Sequence, residues 1–152
     1  MILLVCGTRT FLEVTTLEAL ARSKGAQAAT FLVVGDCRGP DTHAKEWAKG
    51  RGIPGVVLQA HWDAEGTAAG PNRNTRLIKR ALLERTSRQT PAVCFALWDG
   101  QSQGTADTIR KAQAVGLPLE VWLVKGEPPR LARPQEIERL LANCAKRHPK
   151  KD

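Results

Sequence analysis

The stretch AVCFALWDGQSQGTADTIRKAQAV, residues 92–115, contains the unit from which the rest of the chain is built. Residues 92–98 are apolar at every position. A strand with one wet face alternates apolar and polar side chains. An unbroken run of this kind reads as a parallel strand with helices on both sides. DGQSQGTAD, 99–107, is small and polar and carries Gly100 and Gly104, the signature of a loop. From about 105 to 115 the spacing becomes helical.

Outward from this stretch the same order recurs. ILLVC (2–6), TFLVV (30–34), GVVLQA (55–60) and LEVWLV (119–124) read as further buried strands. Helical patterns cover about 12–24, 40–51, 71–88 and 134–147, and KGEPPRLAR (125–133) reads as a loop. Strand alternating with helix predicts an α/β fold with five strands in a mostly parallel sheet.

The totals set bounds on this reading. A chain of 152 residues suits one domain, placed at 1–147, followed by a basic flexible tail at 148–152. No stretch approaches the roughly 20 apolar residues of a membrane span. MILLVCGTRTF has no basic segment before its apolar run, so it reads as a strand rather than a signal peptide, and the expected location is cytoplasmic. Cys6, Cys37, Cys94 and Cys144 form no CxxC pair, and His43, His61 and His148 are scattered, so neither a metal nor a cofactor is expected. Cys6 and Cys94 lie in apolar runs and read as small packing residues. The net charge is +8 and unevenly spread: residues 1–66 hold 7 basic and 7 acidic side chains, and residues 67–152 hold 16 and 8. A basic half suits an anionic ligand or weak nucleic-acid binding.

The junctions carry the functional signal. Gly7-Thr8-Arg9 follows the first strand, GDCRGPD (35–41) the second, HWDAEGTAAGPNRN (61–74) the third and DGQSQGTAD the fourth. All four lie at the carboxyl ends of strands, where open parallel sheets bind ligands. Glycine there lets backbone N–H groups approach a ligand. Three of these loops run into helix starts, at Pro40, Pro71 and Thr105, and a helix N-terminus favours anions. Thr105 is a cap or a phosphate contact; Asp41 and Asp107 suit the first turn of a helix in any case. Arg9, directly after a strand, is expected to face a ligand. Arg73, Arg76 and Arg80 follow helical spacing and can form one stripe. Cations at a helix start oppose its dipole, which a bound anion would reverse. Arg73 is therefore the expected phosphate contact, with Asn74 positioning it, and Arg80 a surface residue. Trp62 is either a cap over the core or a plate for a base. The chain lacks GxxxxGK[ST] and, after its first strand, GxGxxG, so P-loop hydrolysis and ordinary dinucleotide dehydrogenase chemistry are not expected.

Together, GTR, VVGDCRGPDTHAKEWAKGRGIP, HWDAEGTAAGPNRN and WDGQSQGTADTIRKAQAVGLPLEVW resemble the YspA/cpYpsA-related branch of the SLOG superfamily over residues 2–124. That superfamily includes the Smf/DprA DNA-processing proteins and the lonely-guy phosphoribohydrolases. The resemblance implies a Rossmann-like three-layer α/β/α fold and a nucleotide or nucleotide-derived ligand, such as one related to NAD or ADP-ribose. It implicates Gly7 and Arg9, then Gly35, Gly39 and Asp41, then Trp62, Gly70, Arg73 and Asn74, then Gly104, Thr105 and Asp107. Thr8 and Asp36 lie within the same motifs and join the candidate set. The chain departs from the pattern at Pro40 and at Ser102, which stands where the relatives carry a second glycine. Thr108 stands where the phosphoribohydrolases carry a catalytic glutamate, although Arg73 matches their arginine.

Three functions follow as expectations. The first is a binding module for a phosphate-bearing, nucleotide-derived small molecule. The second is an N-glycosidic hydrolase using Arg73 and Asp107 or Asp41, weakened by Thr108. The third is a single-strand nucleic-acid binder, weakened by the shortage of aromatic residues. A homodimer is expected from family habit and from the apolar region around Trp122.

Overall fold

A computed structural model describes residues 1–147; the tail expected at 148–152, with His148, lies outside the described residues. The chain forms an α/β fold around one six-stranded sheet. The strands are β1 (Ile2–Gly7), β2 (Phe31–Gly35), β3 (Gly55–Leu58), β4 (Ala92–Trp98), β5 (Leu119–Leu123) and β6 (Arg130–Leu131). Their order is β3-β2-β1-β4-β5-β6, parallel throughout except for β6. The helices are α1 (Glu13–Arg22), α2 (Lys24–Gln27), α3 (Pro40–Gly50), α4 (Trp62–Glu65), α5 (Ala69–Ser87), α6 (Gln103–Ala114) and α7 (Pro134–Arg147).

The pleat explains why the strands are apolar on both faces. Ile2, Leu4 and Cys6 of β1 join Val33, Cys94, Ala96 and Trp98 under α5, α6 and α7. Leu3 and Val5 join Leu32, Val34, Phe95 and Leu97 against Ala19 and Leu20 of α1 and Ala44 and Ala48 of α3. Alternate residues thus feed two separate cores, and each face needs its own hydrophobic set.

Three expectations need correction. The sheet has a sixth strand: Arg130 and Leu131, within the expected loop, pair antiparallel with Leu123 and Trp122 of β5. The third strand ends at Leu58 rather than residue 60 and is half-exposed, because it forms the edge of the sheet and pairs only with β2. The connection after it is also helical. α4, a 3-10 turn at Gly66–Ala68 and α5 follow one another, so α5 begins at Ala69 rather than Pro71. The remaining shifts are small. The first helix breaks at Ser23, whose hydroxyl caps α2 through the Ala26 N–H, and α6 begins at Gln103, before Thr105.

The sheet order reverses direction between β1 and β4. From β1 the chain moves outward one way to β2 and β3, then returns and moves the other way through β4 to β5. Loops leaving β1 and β4 part at their carboxyl ends, and that divergence opens a crevice in a doubly wound sheet.

Candidate functional site

The crevice is a cavity of about 430 Å³. Its walls come from the ends of β1 and β2, the starts of α3 and α6, and the facing sides of α4 and α5. Of the residues picked out by sequence, Gly7, Arg9, Asp41, Trp62, Gly70, Arg73, Asn74, Gly104, Thr105 and Asp107 line it. Thr8, Gly35, Asp36 and Gly39 do not.

The reasons are physical. Thr8 turns away: its Oγ1 accepts from the Asp99 N–H at 3.3 Å and its N–H donates to the Leu97 carbonyl, tying β1 to the loop after β4. Gly35 makes room for side chains rather than for a ligand. A Cβ there would meet Asp41 Oδ2 at 2.8 Å and Arg73 Nη1 at 3.0 Å. Gly39 has φ +82° and presses on the Arg9 backbone, with 2.6 Å from a notional Cβ to the Arg9 carbonyl oxygen. Gly7 borders the cavity, yet its Cβ would strike Pro40 at 2.7 Å. Only Gly104, with no atom within 4 Å, and Gly70, facing Trp62 at 3.4 Å, retain the open space expected of ligand-facing glycines.

Arg73 departs furthest from expectation. With α5 beginning at Ala69, it lies in the second turn, and it is 7% exposed. Its Nη1 donates to Asp36 Oδ1 at 2.6 Å, Nη2 to Cys37 Sγ at 3.3 Å and Nε to Asn74 Oδ1 at 3.2 Å. All three nitrogens thus have a protein partner. Burial alone would lower its pKa, but Cys37, Asp41 and Asp36 more than offset that and raise it, so Arg73 stays charged. The other two arginines are also engaged. Arg76 Nη2 donates to the Gln59 carbonyl, and Arg80 pairs with Glu84, so these three arginines do not form a free basic stripe.

Asn74 extends the network. Its Nδ2 donates to Asp107 Oδ2 at 3.0 Å and to the Gly104 carbonyl at 3.3 Å. Lys111 Nζ donates to the same Asp107 oxygen at 2.7 Å and to the Pro71 carbonyl at 2.7 Å. Five side chains, Asp36, Arg73, Asn74, Asp107 and Lys111, therefore form a continuous polar chain linking the β2 end to α6. Sequence reading missed Lys111 and Cys37. The first was signalled by its position four residues after Asp107, the spacing of a helical ion pair. Cys37 carried no such signal.

Two groups suited to holding an anion remain free among the described residues. Arg9 is exposed at the cavity wall and has no ion-pair or hydrogen-bond partner among the described residues. The first N–H groups of α6, at Gln103, Gly104 and Thr105, precede the helical ladder, whose first bond outside it runs from the Ala106 N–H to the Ser102 carbonyl. Ser102 makes no capping bond to them; its hydroxyl donates to Thr105 Oγ1 at 3.3 Å. Such a helix start can hold an anion. The start of α5 is different: the Ala69 N–H already donates to the Gly66 carbonyl, so its expected anion nest is partly filled.

The loop that presents α6 is braced from both sides. Asp99 Oδ1 accepts from the N–H groups of Gln101 and Ser102, each at 2.8 Å, and Trp98 Nε1 donates to the Ser102 carbonyl. From α7, Cys144 Sγ lies 3.4 Å from the Gly100 carbonyl. Arg110, a cavity residue, donates to the Leu141 carbonyl at 3.0 Å.

Two acidic residues differ in their hydrogen bonding. Asp107 Oδ2 is held by Asn74 and Lys111, while its Oδ1 has no partner among the described residues. Asp41 is 6% exposed, and among the described residues only the Cys37 N–H donates to it, at 3.1 Å. Burial pushes its carboxyl up to about 7; the Arg73 charge and the Cys37 N–H pull against that, and Asp36 adds to it. Cys6 at the cavity floor is held as a thiol by its hydrogen bond to Cys94 and by burial. Thr108 donates its hydroxyl to the Gly104 carbonyl. Trp62 is 56% exposed, so it does not cap the core. Trp122 is buried against Phe95 and Arg22, so it offers no apolar surface to a second copy. No helix among the described residues is long and apolar enough to cross a membrane.

No protein-family model matches the sequence, and no solved structure matches it. Among curated proteins, the Gene 61 protein of Mycobacterium phage D29 is 31% identical over 123 residues, an alignment that takes in 76% of this chain and 91% of the phage protein.

Proposed function

From a chain that belongs to the family of the phage D29 Gene 61 protein, and whose cavity sits at the switch point of a doubly wound sheet, we propose a binding module for a nucleotide-derived, phosphate-bearing small molecule. The single observation that carries this reading is the pairing of unpartnered N–H groups at the start of α6 with the unpaired guanidinium of Arg9 around one cavity. Phosphate oxygens accept from the N–H groups of Gln103, Gly104 and Thr105, and Arg9 supplies the opposing charge. Asp107 Oδ1 accepts from a ribose hydroxyl. Trp62, exposed beside Gly70, offers a face to the base. Arg73 holds the wall together and does not meet the phosphate.

Membership of the SLOG superfamily is part of the same proposal, and the four glycine junctions that carry the resemblance, all at this end of the sheet, support it. A binding role is favoured over N-glycosidic cleavage. Thr108 offers no carboxylate, and Asp107 and Arg73 are both tied into the wall. The free cysteines fit a reducing cytoplasm.

The test is direct. The purified protein is denatured, the released small molecules are identified by mass spectrometry, and the folded protein is screened by thermal shift against nucleotides and ADP-ribose. An adenine-nucleotide derivative is expected. Arg9→Ala is expected to weaken its binding at least tenfold without changing the melting temperature of the empty protein. No released molecule and no shift across the panel would sink the reading.

A further inference from the structure

The cavity holds a buried acid that its proposed ligand would have to face. Asp41 lies at the start of α3, in the wall that also carries Arg9, Cys37 and Arg73. It has no ion-pair partner within 4.0 Å among the described residues, and one oxygen lacks a hydrogen bond. Arg73 flanks the same point above Gly35 but spends its Nη1 on Asp36 and its Nη2 on Cys37. A carboxyl desolvated without a counter-charge is easily protonated.

The groups around it are few. Cys6 and Arg9 come from β1 and the loop after it, Asp36 and Cys37 from the loop after β2, Arg73 from α5, and Asp107 from α6 across the cavity. On its own helix His43 bonds Thr16 of α1 and does not line the cavity. Cys6 and Cys37 carry no positive charge. Arg73 is shared with Asp36. An anion entering a space of about 430 Å³ therefore adds negative charge close to the carboxylate, and the remaining cavity cations offset that only in part, because Arg9 pairs with the anion itself and Arg110 is held by the Leu141 carbonyl.

We propose that the cavity takes up one proton, on the Asp41 carboxyl, when it binds its anion, so that ligand affinity is set by pH across the neutral range. This rests on the anion-binding reading of the site. The empty protein is already poised for it, with Asp41 titrating at about 7. A bound anion raises that value further, so a proton enters wherever the empty carboxyl is ionised. By linkage, affinity is then constant well below pH 7 and falls as pH rises above it, approaching tenfold per unit. Bound, Asp41 is a neutral acid whose O–H is a donor toward the ligand; empty and above pH 7, it is an acceptor.

The probe is ADP-ribose, whose pyrophosphate diester keeps a fixed charge over the range measured, with inorganic sulfate as a second fixed anion. Calorimetric titrations of the wild-type chain at pH 6, 7 and 8, in two buffers of different ionisation enthalpy, read proton uptake directly. The expected result is uptake rising from near zero at pH 6 towards one proton at pH 8, with affinity about tenfold weaker at pH 8 than at pH 6. In Asp41→Asn both the uptake and the pH dependence should vanish. The Asp41 side-chain carbon signal in the wild-type protein, followed by NMR with and without anion, keeps the test open should the variant fail to fold. It should titrate near 7 when empty and move upward when loaded. Binding with pH-independent affinity and no uptake would overturn the proposal and leave the binding reading standing, as would an Asp41→Asn chain that keeps the wild-type pH dependence. If ADP-ribose fails to bind but sulfate binds with the expected uptake, the nucleotide reading falls and the proton coupling stands. If neither anion binds from pH 5.5 to 8.5, both fall.

Discussion

At the scale of the single residue, Arg73 shows how a correct position can carry the wrong role. The sequence marks it as special, and its place in AGPNRN at the mouth of a glycine-rich loop points to a ligand. The structure gives its three nitrogens to Asp36, Cys37 and Asn74. A buried guanidinium of this kind matters chiefly through what its removal leaves behind. Arg73→Ala would leave the Asp36 carboxylate without its ion pair and Asn74 Oδ1 without its donor, and would open a cavity in the wall. Breaking such a pair typically costs about 3–5 kcal/mol. Since Asp36 keeps a third of its side chain in water, about 2–3 kcal/mol is expected here. Urea unfolding of Arg73→Ala is the measurement, and a loss well under 1 kcal/mol would contradict the structural role. Nothing in the sequence identifies those partners. Asp36 and Cys37 lie far from Arg73 along the chain, and only the pairing of β2 beside β1 brings their loop against α5.

Elements were more legible than residues, for a reason that lies in the pleat. A strand between two helical layers must be apolar at every position, and β1, β2 and β4 are. β3 looked the same in sequence but forms the sheet edge, because periodicity reports which faces are covered and not how many neighbours a strand has. β6 is too short to produce a pattern at all. The α4 region was hidden because WDAE and GTA bury nothing, and an exposed helical turn has no apolar rhythm to read. The glycine junctions were legible as a set, yet glycine alone does not say whether the space it leaves belongs to a ligand or to the protein. Gly35 and Gly39 answer one way and Gly104 the other. This gives a prediction for α6. Gly104 sits in its first turn with nothing near its notional Cβ. Gly104→Ala should therefore leave the empty protein as stable or up to about 1 kcal/mol more stable, since alanine loses less backbone freedom on folding. The added methyl would stand in front of the free N–H groups, and ADP-ribose affinity should fall at least tenfold. A thermal melt beside a titration separates the two effects. Unchanged affinity would mean that the anion does not use this helix start.

Over the whole molecule, opposing acid groups set how stability depends on pH. Glu136 of α7 accepts two bonds from Arg130 of β6 and is held down to about 2, by Arg130 first. A depressed carboxylate contributes stability that is present above its unfolded value, 4.5, and lost as pH falls towards 2. Asp41 works in the opposite sense. Its folded value of about 7 lies above its unfolded value of 3.8, so its contribution is full below 3.8 and is lost as pH rises through 7. Glu136 is half-buried, but its partner Arg130 is exposed and the pair is screened, so the buried acid dominates the neutral side of the profile. The shift of about three units corresponds to roughly 4 kcal/mol between pH 4 and pH 8. Stability of the empty protein should therefore be greatest near pH 4, decline from there to about pH 7 and level off above it. Asp41→Asn keeps an oxygen to accept from the Cys37 N–H but carries no charge, so it should be nearly flat over the same interval and more stable than the wild type at pH 8. Urea unfolding at pH 5, 6, 7 and 8 decides the matter. Parallel profiles for the two chains would show that Asp41 ionises freely in the folded state, in which case the cavity wall is wetter than its burial implies.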